Sequence, residues 1–143
     1  MDILRERILA RVVALLLGVT PAGNNVFRAR EVSIVKSQTP AITVMFDGED
    51  SQPMGSFATQ HQATVVCAIF VRGDPWDQLA NAIDGPLHRA LLSDTALRDL
   101  ITKIERIGTS PESEEADRTA GTLEVRYRVT FLTSTADLAA APV

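Results

Sequence analysis

The stretch EADRTAGTLEVRYRVTFLTS, Glu115–Ser134, decides the fold because polar and apolar side chains alternate almost strictly after Gly121. A period of two is typical of a β-strand with one face in a core and the other in water. The apolar face carries Leu123, Val125, Tyr127, Val129 and Phe131, and the polar face carries Thr122, Glu124, Arg126, Arg128 and Thr130. The stretch therefore predicts a half-buried strand that needs a partner strand and a layer to pack against.

Three segments further toward the N-terminus supply candidate partner strands. AITVMF, residues 41–46, and the longer run 57–71 are rich in β-branched and apolar residues, so we expect them to pair. Residues 64–71 are almost continuously apolar, which favours a central strand covered on both faces. LITKIERI, residues 100–107, fits a helix or a strand by pattern, and we assign it as the partner of the final strand.

The polar segments between these strands predict connections. Residues 24–36 are assigned as an extended connection. The acidic segments 47–56 and 108–121 contain glycine and serine and few apolar side chains, so we expect mobile loops there.

Two helices complete the pattern. Apolar residues recur at helical spacing from a possible Asp2 cap to about Leu17. A second helix can begin with Asp74 as its cap and Pro75 in its first turn. Its apolar phase continues across the internal Gly85-Pro86 to about Leu92, so we predict one kinked helix.

The sequence therefore predicts an α+β fold, a largely antiparallel β-sheet with two main helices packed on it in the order α-β-β-α-β-β. We expect a single domain over residues 1–135 and a flexible C-terminal tail over residues 136–143. Only 5% of residues are aromatic while 45% are hydrophobic, so the core must be mainly aliphatic.

Composition excludes several classes of function. The net charge of -4, without a clustered basic patch, argues against a sequence-specific nucleic-acid binder. The single cysteine, Cys67, cannot form an intramolecular disulfide and lies in an apolar run, where we expect a buried thiol. Acidic residues near the N-terminus and the helical spacing there favour a docked helix over a signal peptide or membrane span, and we expect a cytoplasmic protein.

Residues that could carry chemistry are few and scattered. His61, His88 and Cys67 come from different segments without ligand spacing, so we predict no metal site and no cofactor. The loop carboxylates lack a cleft that would shift their pKa values, and no serine lies in a GxSxG elbow. The sequence therefore predicts that the protein is not an enzyme.

The charged stripe on the last strand is the one candidate binding site. Glu124, Arg126 and Arg128 share the polar face. This stripe can be a solvated sheet face or a contact between subunits or with a partner, since arginine is enriched at interfaces.

The order of elements resembles that of the tail terminator and tail completion proteins of long-tailed bacteriophages and prophages, the group that includes lambda's minor tail protein U. The resemblance is carried by the N-terminal helix, TPAITVMFDGED, VRGDPWDQLANAIDGPLHRALLSD and ADRTAGTLEVRYRVTFLTS. It covers nearly the whole chain, and none of these strings is a catalytic signature.

This resemblance implies a structural virion protein that closes into a homo-oligomeric ring, typically a hexamer, at the head-proximal end of the tail tube. The ring would stop tube polymerisation and present the head-joining surface. Its partners would be the tail tube protein and head-tail connector proteins, and its location the host cytoplasm during assembly and then the virion tail. A head-to-tail connector or neck protein and a small ligand-binding α+β domain stay as alternatives.

Overall fold

A computed structural model describes residues 1–28, 38–113 and 119–142 as three helices and five strands. In chain order these are α1 (Leu4–Leu16), β1 (Val26–Arg28), β2 (Ala41–Met54), β3 (Ala58–Arg72), α2 (Trp76–Ser93), α3 (Thr95–Leu100), β4 (Lys103–Ser113) and β5 (Ala120–Ser134). The strands form one sheet in the order β1-β2-β3-β5-β4, in which only β1 and β2 run parallel. The predicted α+β class and order are confirmed, with β1 and α3 as additional short elements.

The alternation in β5 separates two environments as predicted. Leu123, Val125, Tyr127, Val129 and Phe131 all belong to the buried core, to which α1, α2 and α3 contribute. Residues 122, 124, 126 and 128 are partly exposed on the other face. One face of the sheet therefore packs against the helices, and we call the opposite one the helix-free face.

β3 lies at the centre of the sheet, between β2 and β5, as its apolar run predicts. Every residue from Val65 to Ile69 is buried, so both faces of the strand are covered at its centre. Cys67 lies within this buried run, as expected. The predicted pairing of residues 41–46 with β3 is also confirmed.

The prediction of a mobile loop at residues 47–56 is wrong. After a bulge between Phe46 and Glu49, β2 continues to Met54 and stays paired with β3. Gly55 turns the chain with φ of +80°, a conformation that favours glycine. The sequence pattern did not predict this extension of β2, because most of its side chains are exposed and no apolar face marks the strand.

The second acidic connection is also partly strand. β4 extends to Ser113 and β5 begins at Ala120, whereas residues 114–118 of the predicted loop lie outside the described residues. A bulge between Arg106 and Gly108 shifts the register by one residue, and β4 stays paired with β5 beyond it. Of the connection predicted at residues 24–36, the described part holds β1, and residues 29–36 lie outside it.

Both predicted helix starts need correction. α1 begins after Ile3 without a side-chain cap, so Asp2 does not cap it, and the helix ends one residue before Leu17. α2 begins after Pro75, which occupies the cap position without a capping side chain, so Asp74 does not cap it either. The backbone N–H groups in the first turn of each helix therefore bond to solvent or neighbouring groups instead of a capping side chain.

α2 continues through Pro86 to Ser93 as a single helix, as its apolar phase predicts. After α2 the short helix α3 begins at Thr95, with Asp94 as its N-cap. The Asp94 carboxylate accepts a hydrogen bond from the Leu97 N–H at 2.8 Å, the geometry of an N-cap.

The residues after β5 contact the first helix. The Leu4 N–H donates to the Leu138 carbonyl at 2.9 Å, and the Ser134 N–H donates to the Ala140 carbonyl at 2.8 Å. These bonds place the C-terminal segment beside the start of α1.

Candidate assembly interface

The predicted stripe of Glu124, Arg126 and Arg128 lies on the helix-free face of β5. The three side chains alternate with core residues, so the strand holds all of them on one side. Cross-strand register places Val66 beside Arg126 and Thr64 beside Arg128. The sequence thus identified the face correctly, and what binds there remains a prediction.

Arg126 is engaged twice within the chain. Its guanidinium donates to Asp47 Oδ2 at 2.7 Å and to Glu124 Oε2 at 3.1 Å. Its neighbour Val66 is only 2% exposed although it faces away from the helices. The aliphatic part of the Arg126 side chain is placed to cover Val66, so this arginine also contributes to packing on the helix-free face.

Arg128 is held more loosely. Its Nη1 lies 3.7 Å from Glu105 Oε1, and Glu105 also lies 3.6 Å from Lys103 Nζ. Arg128 is 44% exposed and Lys103 is 63% exposed. Exposed ion pairs of this kind contribute about 0–1 kcal/mol, so Arg128 can exchange its partner for another carboxylate at little cost.

The charges on the helix-free face form a mixed row across three strands. Arg126, Arg128 and Lys103 alternate with Asp47, Glu105 and Glu124. Because positive and negative charges balance, the row suits a charged surface of similar pattern better than a uniformly negative phosphate backbone.

A second set of ion pairs holds the helices in place, and sequence reasoning missed it. Arg11 on α1 binds Asp94 through two hydrogen bonds of 2.8 and 2.6 Å, and Arg106 on β4 binds Asp84 on α2 at 2.8 and 2.7 Å. The paired arginine lowers the pKa of the Asp94 carboxyl below its ordinary value. The run Ser93-Asp94-Thr95 before apolar residues was the sequence signal for an Asp94 cap. No local sequence pattern links Asp94 to Arg11.

His61 is buried in a polar cluster that ties three strands together. Its Nδ1 lies 2.8 Å from Ser51 Oγ, and its Nε2 lies 2.9 Å from Thr133 Oγ1. Because the Thr133 hydroxyl already donates to the Ser134 carbonyl, His61 Nε2–H is the donor and Nδ1 accepts from Ser51. His61 also stacks on Phe131 with ring centroids 5.0 Å apart.

This cluster does not have the geometry of a catalytic triad. Glu49 Oε2 approaches the same Nδ1 as Ser51, at 3.5 Å, whereas a triad needs nucleophile and carboxylate on opposite ring nitrogens. The hydrogen bonds of His61 to Ser51 and Thr133 join side chains of β2, β3 and β5.

Of the other groups singled out from the sequence, Cys67 is buried and His88 is hydrogen-bonded to Tyr127. Burial raises the pKa of the Cys67 thiol to about 12, so the thiolate nucleophile is scarce at neutral pH. His88 Nδ1 lies 2.9 Å from the Tyr127 hydroxyl, and burial is the main reason that the pKa of Tyr127 rises to about 12.

The cavities in the described part of the chain are small. Three pockets in the described part of the chain have volumes of about 220, 240 and 160 Å³. Ligand sites usually have about 300–1,000 Å³. Among residues 1–28, 38–113 and 119–142, no group of three or more His, Cys, Asp or Glu side chains could hold a metal ion. Within the same residues, no helix is long and apolar enough to span a bilayer.

The described residues form an α+β fold with one charged, helix-free sheet face. The chain belongs to the phage minor tail protein U family, whose sequence pattern matches residues 3–131. Curated protein sequences include no match. Among solved structures, a chain of the "Virion of native gene transfer agent (GTA) particle" is similar over 91% of this chain and 92% of its own, with 11% identity and a TM-score of 0.43.

Proposed function

We propose that the protein forms a closed ring at the head-proximal end of a phage tail tube, where it ends tube polymerisation and provides the surface to which the head joins. The family match over residues 3–131 carries this proposal, because it ties nearly the whole chain to a tail protein. The protein would act in the host cytoplasm during assembly and remain in the virion tail. Its partners would be further copies of itself, the tail tube protein and the head-tail connector proteins.

The mechanism is geometric and has no catalytic step. Identical subunits that use two different surfaces to contact each other build a ring when the rotation between them closes. A closed ring on the last layer of the tube covers the surface to which the next tube subunit would add. The family resemblance implies six subunits.

Side chains, rather than continued β-pairing, are the better candidates for the contacts between subunits. β4 is the edge of the sheet among the described strands and carries a bulge and Pro111. Among the described residues, β1 pairs with β2 at residues 42–44, and the extension of β2 carries a bulge and Pro53. Bulges, prolines and charges are the usual means by which proteins prevent edge-to-edge pairing.

The helix-free face supplies one such contact in this proposal. Arg128 is exposed and loosely paired, and it can bind a carboxylate of the neighbouring subunit or of the tube. Glu124 and Arg126 flank it and set the charge pattern that a partner must match.

Negative-stain electron microscopy and light scattering, with and without tail tubes, test the proposal. We expect rings at high concentration or on tube ends, and tubes that stop growing once capped. A protein that stays monomeric and neither binds nor caps tubes would refute the proposal. Binding only to portal-side proteins in a pull-down would instead identify a neck protein.

A further inference from the structure

The hairpin of β2 and β3 ends in an exposed aromatic side chain. Phe57 lies in the turn at residues 55–57 and is 76% exposed, and Met54 beside it is 48% exposed. We call these two residues the tip. An exposed phenyl ring at the end of a paired hairpin is an apolar group that folding of the chain leaves in water.

The tip is held in a fixed position. β2 and β3 stay paired as far as Met54 and Ala58, and β5 flanks β3 along its whole length. The Thr135 N–H donates to the Phe57 carbonyl at 2.9 Å. The ring therefore projects from a preorganised support, which lowers the entropy cost of binding.

A matching pocket lies at the opposite end of the same two strands. Except for Arg72, its lining is apolar: Pro21, Pro40, Val71, Leu79, Ala82 and Ile83. Pro40 precedes the first residue of β2, and Val71 is the penultimate residue of β3. We call this site the end pocket. The 14 residues of β2 place it about 45 Å from the tip, so the two cannot meet within one chain.

The size and chemistry of the end pocket suit one aromatic ring. Its volume is about 160 Å³. An apolar cavity of about 150 Å³ is large enough to bind benzene. Leu79, which lines the pocket, is 40% exposed and would lose that exposure when a ring enters.

We propose that Phe57 of one copy inserts into the end pocket of the next copy and so forms the directional contact that builds the ring. This inference rests on the proposed function, since it identifies two surfaces that a head-to-tail contact needs. Because the tip and the pocket are different surfaces of one subunit, each copy can donate a ring to one neighbour and accept a ring from another. One buried phenyl ring is a weak contact alone, which suits subunits that assemble on a tube end.

Site-directed cross-linking tests the contact. The single variants Phe57→Cys and Leu79→Cys are purified separately and treated with a short bismaleimide, alone and mixed, with and without tail tubes. The buried native Cys67 should not react with the bismaleimide, and the same treatment of the unmodified protein is the control. We expect cross-linked dimers only in the mixture, and a ladder beyond dimers from the double variant. No product in the mixture, products from Phe57→Cys alone, or a double variant that stops at dimers would each overturn the proposal.

Two disruptive variants and two controls connect the contact to assembly. Phe57→Ser should remove the ring and Ala82→Trp should fill the pocket, each raising the concentration needed for assembly roughly 10- to 100-fold. Phe57→Leu keeps an apolar tip and should retain most assembly, while Leu138→Ser changes an exposed apolar residue elsewhere and should have no effect. Circular dichroism confirms folding.

The results separate this inference from the proposed function. If the unmodified protein caps tubes and Phe57→Ser caps them equally well, the contact is wrong and the function stands. If the unmodified protein never caps tubes, the proposed function fails.

Discussion

Gly121 lies directly beneath the indole ring of Trp76, where the start of α2 crosses β5. A Cβ atom added to Gly121 would overlap ring carbons of Trp76. The backbone of Gly121 is not in the left-handed region, so an alanine there meets no conformational strain. Any loss of stability in Gly121→Ala therefore measures the close approach of helix and sheet.

We expect Gly121→Ala to lower the free energy of unfolding by about 2 kcal/mol. Extra atoms in a well-packed region cost about 1–3 kcal/mol. If Trp76 instead swings out, the lost burial of an aromatic side chain costs about 1.5–3 kcal/mol. Both routes lead to a similar loss, because Trp76 is packed against the core.

Urea unfolding followed by far-ultraviolet circular dichroism measures this loss. Gly108→Ala on β4 is the matched control, because an added Cβ there meets open space and the backbone needs no positive φ. We expect the control to be neutral or more stable by up to about 1 kcal/mol. If the free energy of unfolding of Gly121→Ala lies within about 0.5 kcal/mol of that of the unmodified protein, the close approach of Trp76 to Gly121 is contradicted. Ordinary surface substitutions cause changes of that size.

Three further predictions follow from the ion pairs and the buried thiol. Arg128→Glu should change unfolding by less than about 1 kcal/mol but impair ring formation or tube capping, and unfolding of the variant would show that the faces are misassigned. Asp94→Asn keeps a capping side chain but removes the charge that pairs with Arg11. Because the folded-state pKa of Asp94 is lowered, its contribution is present above the ordinary carboxyl value of 3.8 and is lost as pH falls through the folded-state pKa. Urea unfolding from pH 7 to pH 2.5 should therefore show the difference between Asp94→Asn and the unmodified protein shrinking at acid pH, and a constant difference would contradict the pairing. Cys67, with its pKa raised to about 12, should react with a thiol reagent only after unfolding, and rapid labelling of the folded protein would contradict its burial.

Alternation and apolar runs were enough to predict the buried strands of the sheet and its core. The pattern from Leu123 to Phe131 located the last strand, and the apolar run through Cys67 located the central one. These signals work because burial of one face imposes a period of two on the sequence, whereas burial of both faces gives a continuous apolar run.

The long hairpin and the helix starts could not be predicted for physical reasons. Beyond Phe46 the strand is exposed, so its pairing depends on backbone hydrogen bonds that leave no period in the side chains. Asp2 and Asp74 are good capping residues by type, yet the chain enters each helix one residue later than a side-chain cap would require.

The candidate site was only partly visible in the sequence. Alternation placed Glu124, Arg126 and Arg128 on the correct face, but their partners Asp47 and Glu105 come from other strands. The end pocket joins segments from four parts of the chain, and only the fold reveals it.

Electron microscopy of tail tubes mixed with the purified protein tests the central proposal most directly. We expect a closed ring of this protein on one end of each tube, and no further growth at that end when tube protein is added. Tubes that carry no ring and continue to grow from both ends would contradict it.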